Sequence, residues 1–327
     1  MQNRVGLGTF PLVGVFKEID KESAKNIVRQ FINEGGYYLD TAPNYGFGYM
    51  ETLLGEVLKE FPRDKYYVAT KCGYIDVEDK TFQTLVKSSK YDDVIRECDR
   101  SLKRLNMDFI DLYMVHNPDK NTPFDETMRA LTKLRDEGKI GKISVSNVNL
   151  DELKGYNLNG DISYVENRFN LISRSLSSEF EKYLLDHDIK LIPYHLLDIG
   201  MLTGIAFENY KLRPGDMREG LKYWSQENQD IIFAWVREKL APISKKLGIT
   251  IGQLNIAWAL KQKFIDFVIV GTTNPKYLTI NLNANQIDLS LETLEEMEKI
   301  YLELETDIKN KFGKSIREFR GFNEKFY

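Results

Sequence analysis

Four side chains suited to proton transfer follow successive apolar segments within the first 116 residues. Asp40 ends the run "YYLD", Tyr45 follows five residues later, Lys71 lies in "VATKCG" and His116 ends "LYMVH". An ammonium group close to a phenol lowers the pKa of the phenol, and a carboxylate beside the ammonium keeps it charged. A histidine can hold a carbonyl oxygen or relay a proton. Together these residues predict proton transfer to or from a carbonyl or alcohol oxygen.

Each residue alone also has an ordinary explanation. A single Asp or Lys at the end of a strand is usually a solvated loop residue, and a single His is as readily structural as functional. A catalytic role is favoured because Asp40, Lys71 and His116 end three successive predicted strands, so that their side chains can converge. We expect no metal site, because the chain has 3 histidines and no Cys-x-x-Cys pair.

The elements that must position these groups are short segments rich in β-branched and aromatic residues. Segments of helical periodicity separate them, for example residues 20–36 and 91–106, and Thr250 and Gln253 have the spacing of a capping box. Strands alternating with helices predict an α/β fold, here a closed parallel (β/α)8 TIM barrel with an extra C-terminal helix. The eight predicted strands span residues 4–10, 37–42, 66–73, 109–117, 142–147, 163–170, 190–195 and 267–273.

Two regions exceed the minimum that such a barrel requires. Residues 200–228 form a long connection after the seventh strand, which is typical of a functional lid or an insertion. Residues 285–327 add a predicted helix at 290–307 and a tail rich in charged and aromatic residues. No linker or low-complexity segment divides the chain, so we predict one barrel domain over residues 1–327.

The active site of such a barrel lies at the C-terminal ends of its strands. Seven consecutive predicted strands carry a polar or titratable group there, in the order Asp40, Lys71, His116, Ser146 with Asn147, Glu166 with Asn167, Tyr194 with His195, and Thr272 with Thr273. Aromatic residues accompany them, and the predicted substrate pocket consists of His116 with Phe10, Phe47, Tyr49 and, from the long connection, Trp224.

The overall composition is that of an ordinary globular protein. The chain has 327 residues, 42% hydrophobic and 29% charged, with a net charge of −4 and a pI of about 5.7. This weak acidity gives no general reason to bind nucleic acid or an anionic membrane. Two cysteines cannot form a disulfide framework, and the N-terminal residues do not have the pattern of a signal peptide. We therefore expect a cytoplasmic protein without a membrane or nucleic-acid partner; the pattern does not determine the oligomeric state.

Reduction of a carbonyl also requires a hydride, which no side chain supplies. The segments "GLGTF" and "YGFG" each contain a Gly-x-Gly, but neither has the third glycine of a Rossmann fingerprint. A cofactor that supplies the hydride would therefore lie across the mouth of the barrel. There, Tyr194 can stack on a flat ring, and Ser146 and Asn147 can hydrogen-bond an amide.

Residues 4 to 300 resemble the aldo-keto reductases. The similar segments appear in the order and spacing of the family, and the ending "VIVGTTNPKYLTINLNA" is more similar to the bacterial, potassium-channel-β-like and sugar-dehydrogenase branch than to the long-looped mammalian branch. The segments are "LDTAPNYG" with "METLLGEVL", "VATKCG", "SLKRLNMDFIDLYMVHNPD", "EGKIGKISVSNV" and "GMLTG".

The resemblance implies a role for each matching residue. Tyr45 would donate the proton during reduction, Lys71 would lower its pKa, Asp40 would pair with Lys71, and His116 would orient the carbonyl. The implied contacts to the NADP(H) or NAD(H) cofactor are Gly8, Thr9, Asp40, Ser146, Asn147, Glu166, Tyr194, His195, Leu197, Gly200, Gly271, Thr272, Lys276 and Asn281.

Three positions depart from the family pattern. Glu166 stands where Gln is common, and an ionised Glu cannot donate a hydrogen bond. The sequence His195-Leu196-Leu197 replaces a frequent Ser-Pro-Leu, and His195 can act as a donor in its place. Gly271 and Tyr277 stand where NADP-selective members carry cations, which leaves Lys276 nearby. The cations expected for strict NADP use are thus not in place, and both dinucleotides remain open.

Three functional hypotheses follow. The leading one is an NAD(P)(H)-dependent oxidoreductase that acts on a small or sugar-like carbonyl or alcohol. The second is a non-catalytic dinucleotide-binding regulatory subunit or redox sensor, although a pure binder has no need of all four proton-transfer residues. The third is an isomerase or lyase that binds a substrate phosphate at "VGTTNP".

Overall fold

The computed structural model of the protein describes residues 2–208 and 210–321 and contains the expected eight-stranded barrel. All eight barrel strands lie within the predicted segments or within two residues of them. They are β1 (Val5–Gly8), β2 (Tyr38–Asp40), β3 (Tyr67–Cys72), β6 (Ile110–Val115), β7 (Ile140–Ser146), β8 (Ile162–Arg168), β9 (Lys190–Tyr194) and β10 (Val268–Val270). The two remaining strands, β4 (Tyr74–Ile75) and β5 (Val86–Lys87), form a small antiparallel hairpin after β3 that the sequence analysis did not predict.

The eight strands are parallel and follow the order β10-β1-β2-β3-β6-β7-β8-β9. Between β9 and β10 the barrel is bridged by a parallel pair, Leu191 with Ile265, and by a hydrogen bond from the Leu191 amide to the Phe264 carbonyl, 2.7 Å long. The sheet is therefore nearly closed, which confirms the predicted (β/α)8 architecture.

Twelve α-helices of the described residues surround or extend the sheet. The predicted capping box of α9 is present, with Thr250 and Gln253 each accepting from the other's backbone amide. The helices are α1 (Lys21–Asn33), α2 (Tyr49–Leu58), α3 (Tyr91–Leu105), α4 (Phe124–Asp136), α5 (Leu150–Tyr156), α6 (Ser178–Asp186), α7 (Gln226–Trp235), α8 (Ala241–Leu247), α9 (Ile251–Leu260), α10 (Pro275–Asn283), α11 (Leu291–Phe312) and α12 (Ile316–Arg320). No helix among the described residues combines the length and apolarity that crossing a membrane requires.

The interior of the barrel is a separate apolar cluster, and it explains how the polar groups come to face one another. Its members include Tyr38, Ala69, Met114, Tyr164 and Ile192. Side chains on a strand alternate between faces, so the residue two positions further along points to the same side. For these five strands, the next inward positions towards the C-terminal end are Asp40, Lys71, His116, Glu166 and Tyr194.

The C-terminal region is more ordered than the predicted single helix and tail. Helix α11 extends to Phe312, five residues beyond the predicted end at 307. A second helix, α12, begins with a capping box of Ser315 and Glu318. Residues 322–327 of the predicted tail lie outside the described part of the chain.

Helix α12 carries a fully buried arginine into the loop that follows β9. Arg320 has no solvent exposure, and its Nη2 donates to Asp198 Oδ2 at 2.5 Å. Asp198 also accepts from the side-chain amide of Asn170 at 3.2 Å. A buried ion pair of this kind adds little net stability, but removing one partner leaves the other charge buried without compensation. The position of the loop after β9 therefore depends on the C-terminal helix.

We expect Arg320→Met to lower the free energy of unfolding by about 3 kcal/mol, because the Asp198 carboxylate loses its cation in a buried position. Urea unfolding of purified protein measures the change. Lys314→Met, at an exposed position that precedes the same helix, is the control, with an expected change within about 0.5 kcal/mol. Equal stability of the two variants would contradict the assignment.

Candidate active site

Lys71 is the centre of a polar cluster at the C-terminal end of the barrel. Its ammonium group lies 2.6 Å from Asp40 Oδ1, 3.0 Å from the Thr41 carbonyl oxygen and 3.4 Å from the Tyr45 hydroxyl. Glu166 Oε1 is slightly more distant, at 3.5 Å. The structure thus brings the predicted acid, lysine and phenol together, with Lys71 between Asp40 and Tyr45.

Burial makes the charges of this cluster interdependent. Lys71 is 0% exposed, and Asp40 and Glu166 are each 3% exposed. Burial by itself lowers the pKa of Lys71, but the adjacent acidic side chains, Asp40 foremost and then Glu166, outweigh it and raise that pKa above its ordinary value. Lys71 is therefore a permanent cation at neutral pH.

The net pKa of Tyr45 is opposite to the expectation from sequence. Desolvation raises the pKa of Tyr45 above its ordinary value; Lys71 opposes this change, and Asp40 and Glu166 reinforce it. The predicted influence of Lys71 has the expected sign, but it is smaller than the cost of placing a phenolate in this site. Tyr45 is therefore a neutral phenol, the form that donates a proton.

His116 lies beside Tyr45. Its ring packs edge-on against Tyr45, with 6.1 Å between ring centroids, and against Tyr74 from the hairpin at 5.6 Å. Desolvation, assisted by the charges of Lys71 and Lys87, lowers the pKa of His116 well below its ordinary value. Its buried Nδ1 has no hydrogen-bond partner among the described residues. A neutral imidazole with an unused nitrogen suits hydrogen bonding to an uncharged carbonyl.

Ser146, Asn147 and Tyr194 form one hydrogen-bonded group on the opposite strands. The Asn147 amide donates to the His116 carbonyl oxygen at 2.9 Å and to the Ser146 hydroxyl at 3.1 Å. The Tyr194 hydroxyl donates to Asn147 Oδ1 at 2.6 Å. A φ of 59° at Asn147, a conformation that Asn tolerates, makes this arrangement possible. The Ser146 hydroxyl keeps its own hydrogen for a ligand acceptor.

The ends of β1 and β10 meet at the same rim. The Thr9 hydroxyl and amide both donate to the Asp40 carbonyl oxygen, at 2.8 and 3.0 Å, and Gly8 pairs in register with Asp40. A Cβ on Gly271 would lie 2.5 Å from the ring of Pro11. Any side chain at position 271 would therefore require the Pro11 ring to move.

The loop after β9 places His195, Leu197 and Gly200 together. His195 has a φ of 53°, and its Nδ1 lies 2.7 Å from Arg168 Nη2. Because the guanidinium is always a donor, Nδ1 of His195 is the acceptor, which leaves its other nitrogen as a donor. Gly200 has a φ of 111°, and its backbone amide closes the turn by donating a hydrogen bond of 2.9 Å to the Leu197 carbonyl oxygen.

The remaining predicted cofactor contacts lie around the start of α10. Thr272 accepts from the Asn274 amide at 3.0 Å, Lys276 is exposed, and Asn281 is buried on the inner side of the helix. Tyr277 is 52% exposed. The region presents one cation from α10, while Glu34 of α1 accepts from Thr279 on the same helix at 3.0 Å.

The predicted substrate-pocket aromatics do not all reach the cluster. The Phe10 ring is 4.9 Å from that of Tyr45, whereas Phe47 contacts Phe82 at 5.0 Å. Tyr49 begins α2. Burial raises the pKa of Tyr49, and the charges that modify this shift include Lys21 on α1 and Glu56 on α2. The structure thus places Phe10 at the phenol and Tyr49 beside the outer helices.

The long connection after β9 is attached to the loop after β1. Arg213 donates to the carbonyl oxygens of Phe16 and Gly14, at 2.9 and 2.5 Å. The guanidinium of Arg218 lies 5.3 Å from the Phe16 ring and 4.6 Å from the Trp224 ring. Sequence reasoning identified Trp224 but missed both arginines, although two arginines flanking a Pro-Gly turn in "RPGDMR" offered a signal.

Two surface grooves lie away from this site. A groove of about 670 Å³ along α11 and another of about 310 Å³ along residues 118–124 contain none of Asp40, Tyr45, Lys71 and His116. Within the described ranges, no group of three His, Cys, Asp or Glu residues is arranged to hold a metal ion.

Comparison with known proteins identifies the fold and family. The model of the aldo/keto reductase family matches residues 4–302. An NADH-specific methylglyoxal reductase of Escherichia coli is 31% identical over 300 residues, 88% of this chain and 91% of the relative. The aldo-keto reductase YhdN of Bacillus subtilis is 30% identical over 280 residues, 84% and 83% of the two chains.

A solved structure gives the same result at the level of the backbone. The glycerol dehydrogenase AKR11B4 from Gluconobacter oxydans superimposes on this chain with a TM-score of 0.81 and is 25% identical in sequence. The superposition covers 95% of this chain and 93% of the dehydrogenase. With the match of the family model over nearly the whole sequence, these similarities show that the chain belongs to the aldo/keto reductase family of NAD(P)-dependent oxidoreductases.

Proposed function

We propose that the protein reduces a small carbonyl compound, with Tyr45 as the proton donor and a nicotinamide dinucleotide as the hydride source. The observation that carries this proposal is the buried contact of Lys71 with both Asp40 and Tyr45, at 2.6 and 3.4 Å. The neutral phenol accepts a hydrogen bond from Lys71 and directs its own hydrogen towards the substrate oxygen.

The residues present fit a nicotinamide cofactor. The free hydrogen of the Ser146 hydroxyl suits the carboxamide oxygen, and the half-buried ring of Tyr194 suits a flat ring. The bound reduced cofactor would supply the hydride that no side chain provides. Ser146, Asn147 and Tyr194 would hold its amide end, and His195 with Thr272 would lie along the remainder.

The protein groups then have distinct tasks during reduction. His116, neutral at physiological pH, orients the carbonyl through a hydrogen bond. Tyr45 transfers its proton to the carbonyl oxygen as negative charge develops there, and the Lys71 ammonium stabilises the phenolate that remains. Asp40 fixes the position of Lys71 throughout. The phenol of Tyr45 is protonated in the folded protein, which is the form that reduction requires.

For the substrate we propose small carbonyl compounds such as 2-oxoaldehydes, and short polyols for the reverse reaction. The names of two relatives, a methylglyoxal reductase and a glycerol dehydrogenase, support these classes. The contact between Phe10 and Tyr45 provides an apolar wall beside the proton donor. A panel of methylglyoxal, glycerol, sugar aldehydes and aromatic aldehydes tests the choice. Dinucleotide binding without turnover of any of them would favour a non-catalytic binding subunit instead.

We predict that Tyr45→Phe lowers kcat for carbonyl reduction by about 10³-fold, because the substrate oxygen loses its proton donor. Steady-state rates and the Kd of the dinucleotide are measured together, and the Kd should change little because the ring remains. Tyr91→Phe, on the outer helix α3, is the matched control and should behave as the unmodified protein. Undiminished turnover by Tyr45→Phe would refute the assigned role.

We further propose that NADH is the preferred dinucleotide. Gly271 and Tyr277 supply no cation for a 2′-phosphate, Glu34 contributes negative charge at α10, and the Escherichia coli relative is named NADH-specific. Lys276 is the cation that α10 offers in its first turn. This arrangement supports binding of an adenosine that carries a free ribose rather than a phosphate.

Calorimetric titration should therefore give a lower Kd for NADH than for NADPH. Tyr277→Arg should tighten NADPH binding by about tenfold, the equivalent of one charge-assisted hydrogen bond of about 1.4 kcal/mol. Tyr277→Gln, which removes the ring without adding charge, should leave the NADPH affinity low. Tighter binding of NADPH to the unmodified protein would contradict the proposed preference.

A further inference from the structure

Two buried carboxyl groups share one buried cation in the active site. The ammonium of Lys71 lies 2.6 Å from Asp40 and 3.5 Å from Glu166, and all three side chains are almost fully buried. A buried carboxylate is costly unless a cation and hydrogen-bond donors compensate it. One positive charge does not compensate two negative charges, so the lowest-energy state of the cluster retains a proton on one of the carboxyl groups.

The geometry indicates that Glu166 retains this proton. Asp40 has the shorter contact with Lys71, whereas Glu166 Oε2 is buried and accepts no hydrogen bond from a donor among the described residues. In agreement, burial and the negative charge of Asp40 raise the pKa of Glu166 to about 8, with Lys71 opposing the change.

Among the residues that the structure describes, Asp40 and Lys71 are the charged groups that act on Glu166. The two phenols that sense its charge, Tyr38 on β2 and Tyr45 after it, have pKa values raised by burial and stay neutral. The residues paired with Glu166 on the adjacent strands are Ser146 on β7 and Ile192 on β9, which carry no charge.

We propose that Glu166 holds a proton at neutral pH, and that its loss places a second negative charge beside Lys71 and Tyr45 and slows carbonyl reduction at alkaline pH. The second part rests on the proposed function. While Glu166 is neutral, the positive charge of Lys71 interacts with the Asp40 carboxylate and the Tyr45 hydroxyl. Once Glu166 has released its proton to solvent, it competes for the ammonium group and makes Tyr45 a weaker acid. Glu166 is thus a positioning residue that acts through Lys71.

This assignment also explains how Glu166 can stand where related enzymes commonly carry Gln. Like the side-chain amide of Gln, a protonated carboxyl group can both donate and accept hydrogen bonds, although it has one donor hydrogen where the amide has two. At neutral pH Glu166 therefore offers the hydrogen bonding of Gln, but unlike Gln it loses its donor as the pH rises.

The pH profile of kcat/KM for carbonyl reduction tests the catalytic part. The unmodified protein should show a fall of about tenfold per pH unit above a transition near pH 8, since one proton is lost. Glu166→Gln should lack this transition, whatever its maximal rate. Glu97→Gln, another buried carboxyl on α3 with a pKa raised by burial, is the control and should retain it. Persistence of the transition in Glu166→Gln would overturn the catalytic part.

Two measurements on the protein without cofactor test the proton itself. The unmodified protein should show the infrared carbonyl band of a protonated carboxyl group at neutral pH, and this band should disappear with a midpoint near pH 8. The Glu166→Gln variant should lack the band that titrates in this way. A band that shows no such titration in the unmodified protein would overturn the proposal, even if the variant failed to fold.

Thermal unfolding provides the second measurement. Because the pKa of Glu166 is raised on folding, the folded state binds more protons than the unfolded state between about pH 4.5 and about pH 8. As the pH rises through this window, the Tm of the unmodified protein should fall relative to that of Glu166→Gln. Above the window, the difference between the two Tm values should be constant. A Tm difference that does not depend on pH would contradict the assignment of a proton to Glu166 in the folded protein. If both measurements agree but no carbonyl is reduced, the proton assignment stands and the proposed function fails.

Discussion

The structure depends on one constraint, a lysine ammonium group buried without access to water at the centre of the barrel mouth. Such a cation is tolerated only when oxygen atoms replace its hydration shell. Lys71 obtains them from Asp40, the Thr41 carbonyl and Tyr45, with Glu166 close by. These groups come from β2, the loop after it, and β8. The cluster therefore forms only when distant strands close into a barrel.

The same constraint links stability and chemistry. Removing water from Lys71 makes its interactions with carboxylates strong, and it also makes ionisation of the phenol expensive. The site resolves this conflict by keeping Tyr45 neutral until a reaction develops negative charge on the substrate oxygen. When Tyr45 then donates its proton, the Lys71 ammonium offsets part of the cost of the phenolate, because Lys71 is in position before the substrate arrives.

Much of this arrangement can be predicted from the sequence, and the rest has identifiable reasons for being missed. The alternation of strands and helices predicted the barrel, and the positions of Asp40, Lys71 and His116 at the ends of predicted strands predicted that they face one mouth, because both patterns are local. The net pKa of Tyr45 depends on how completely the cluster is desolvated, which no local pattern records. The contacts of Arg213 with Gly14 and of Arg320 with Asp198 join residues that are 199 and 122 positions apart. Periodicity carries no information about such pairs.

The pairing of Arg320 with Asp198 has a consequence for biosynthesis. The four proton-transfer residues have all been synthesised once the chain reaches His116, just after β6, but the loop after β9 acquires its buried cation only from a helix that ends at residue 320. During translation from the N-terminus, the loop that carries His195 is therefore synthesised before the helix that supplies its buried cation. The loop that carries His195 can therefore take up its final position only after α12 has been synthesised.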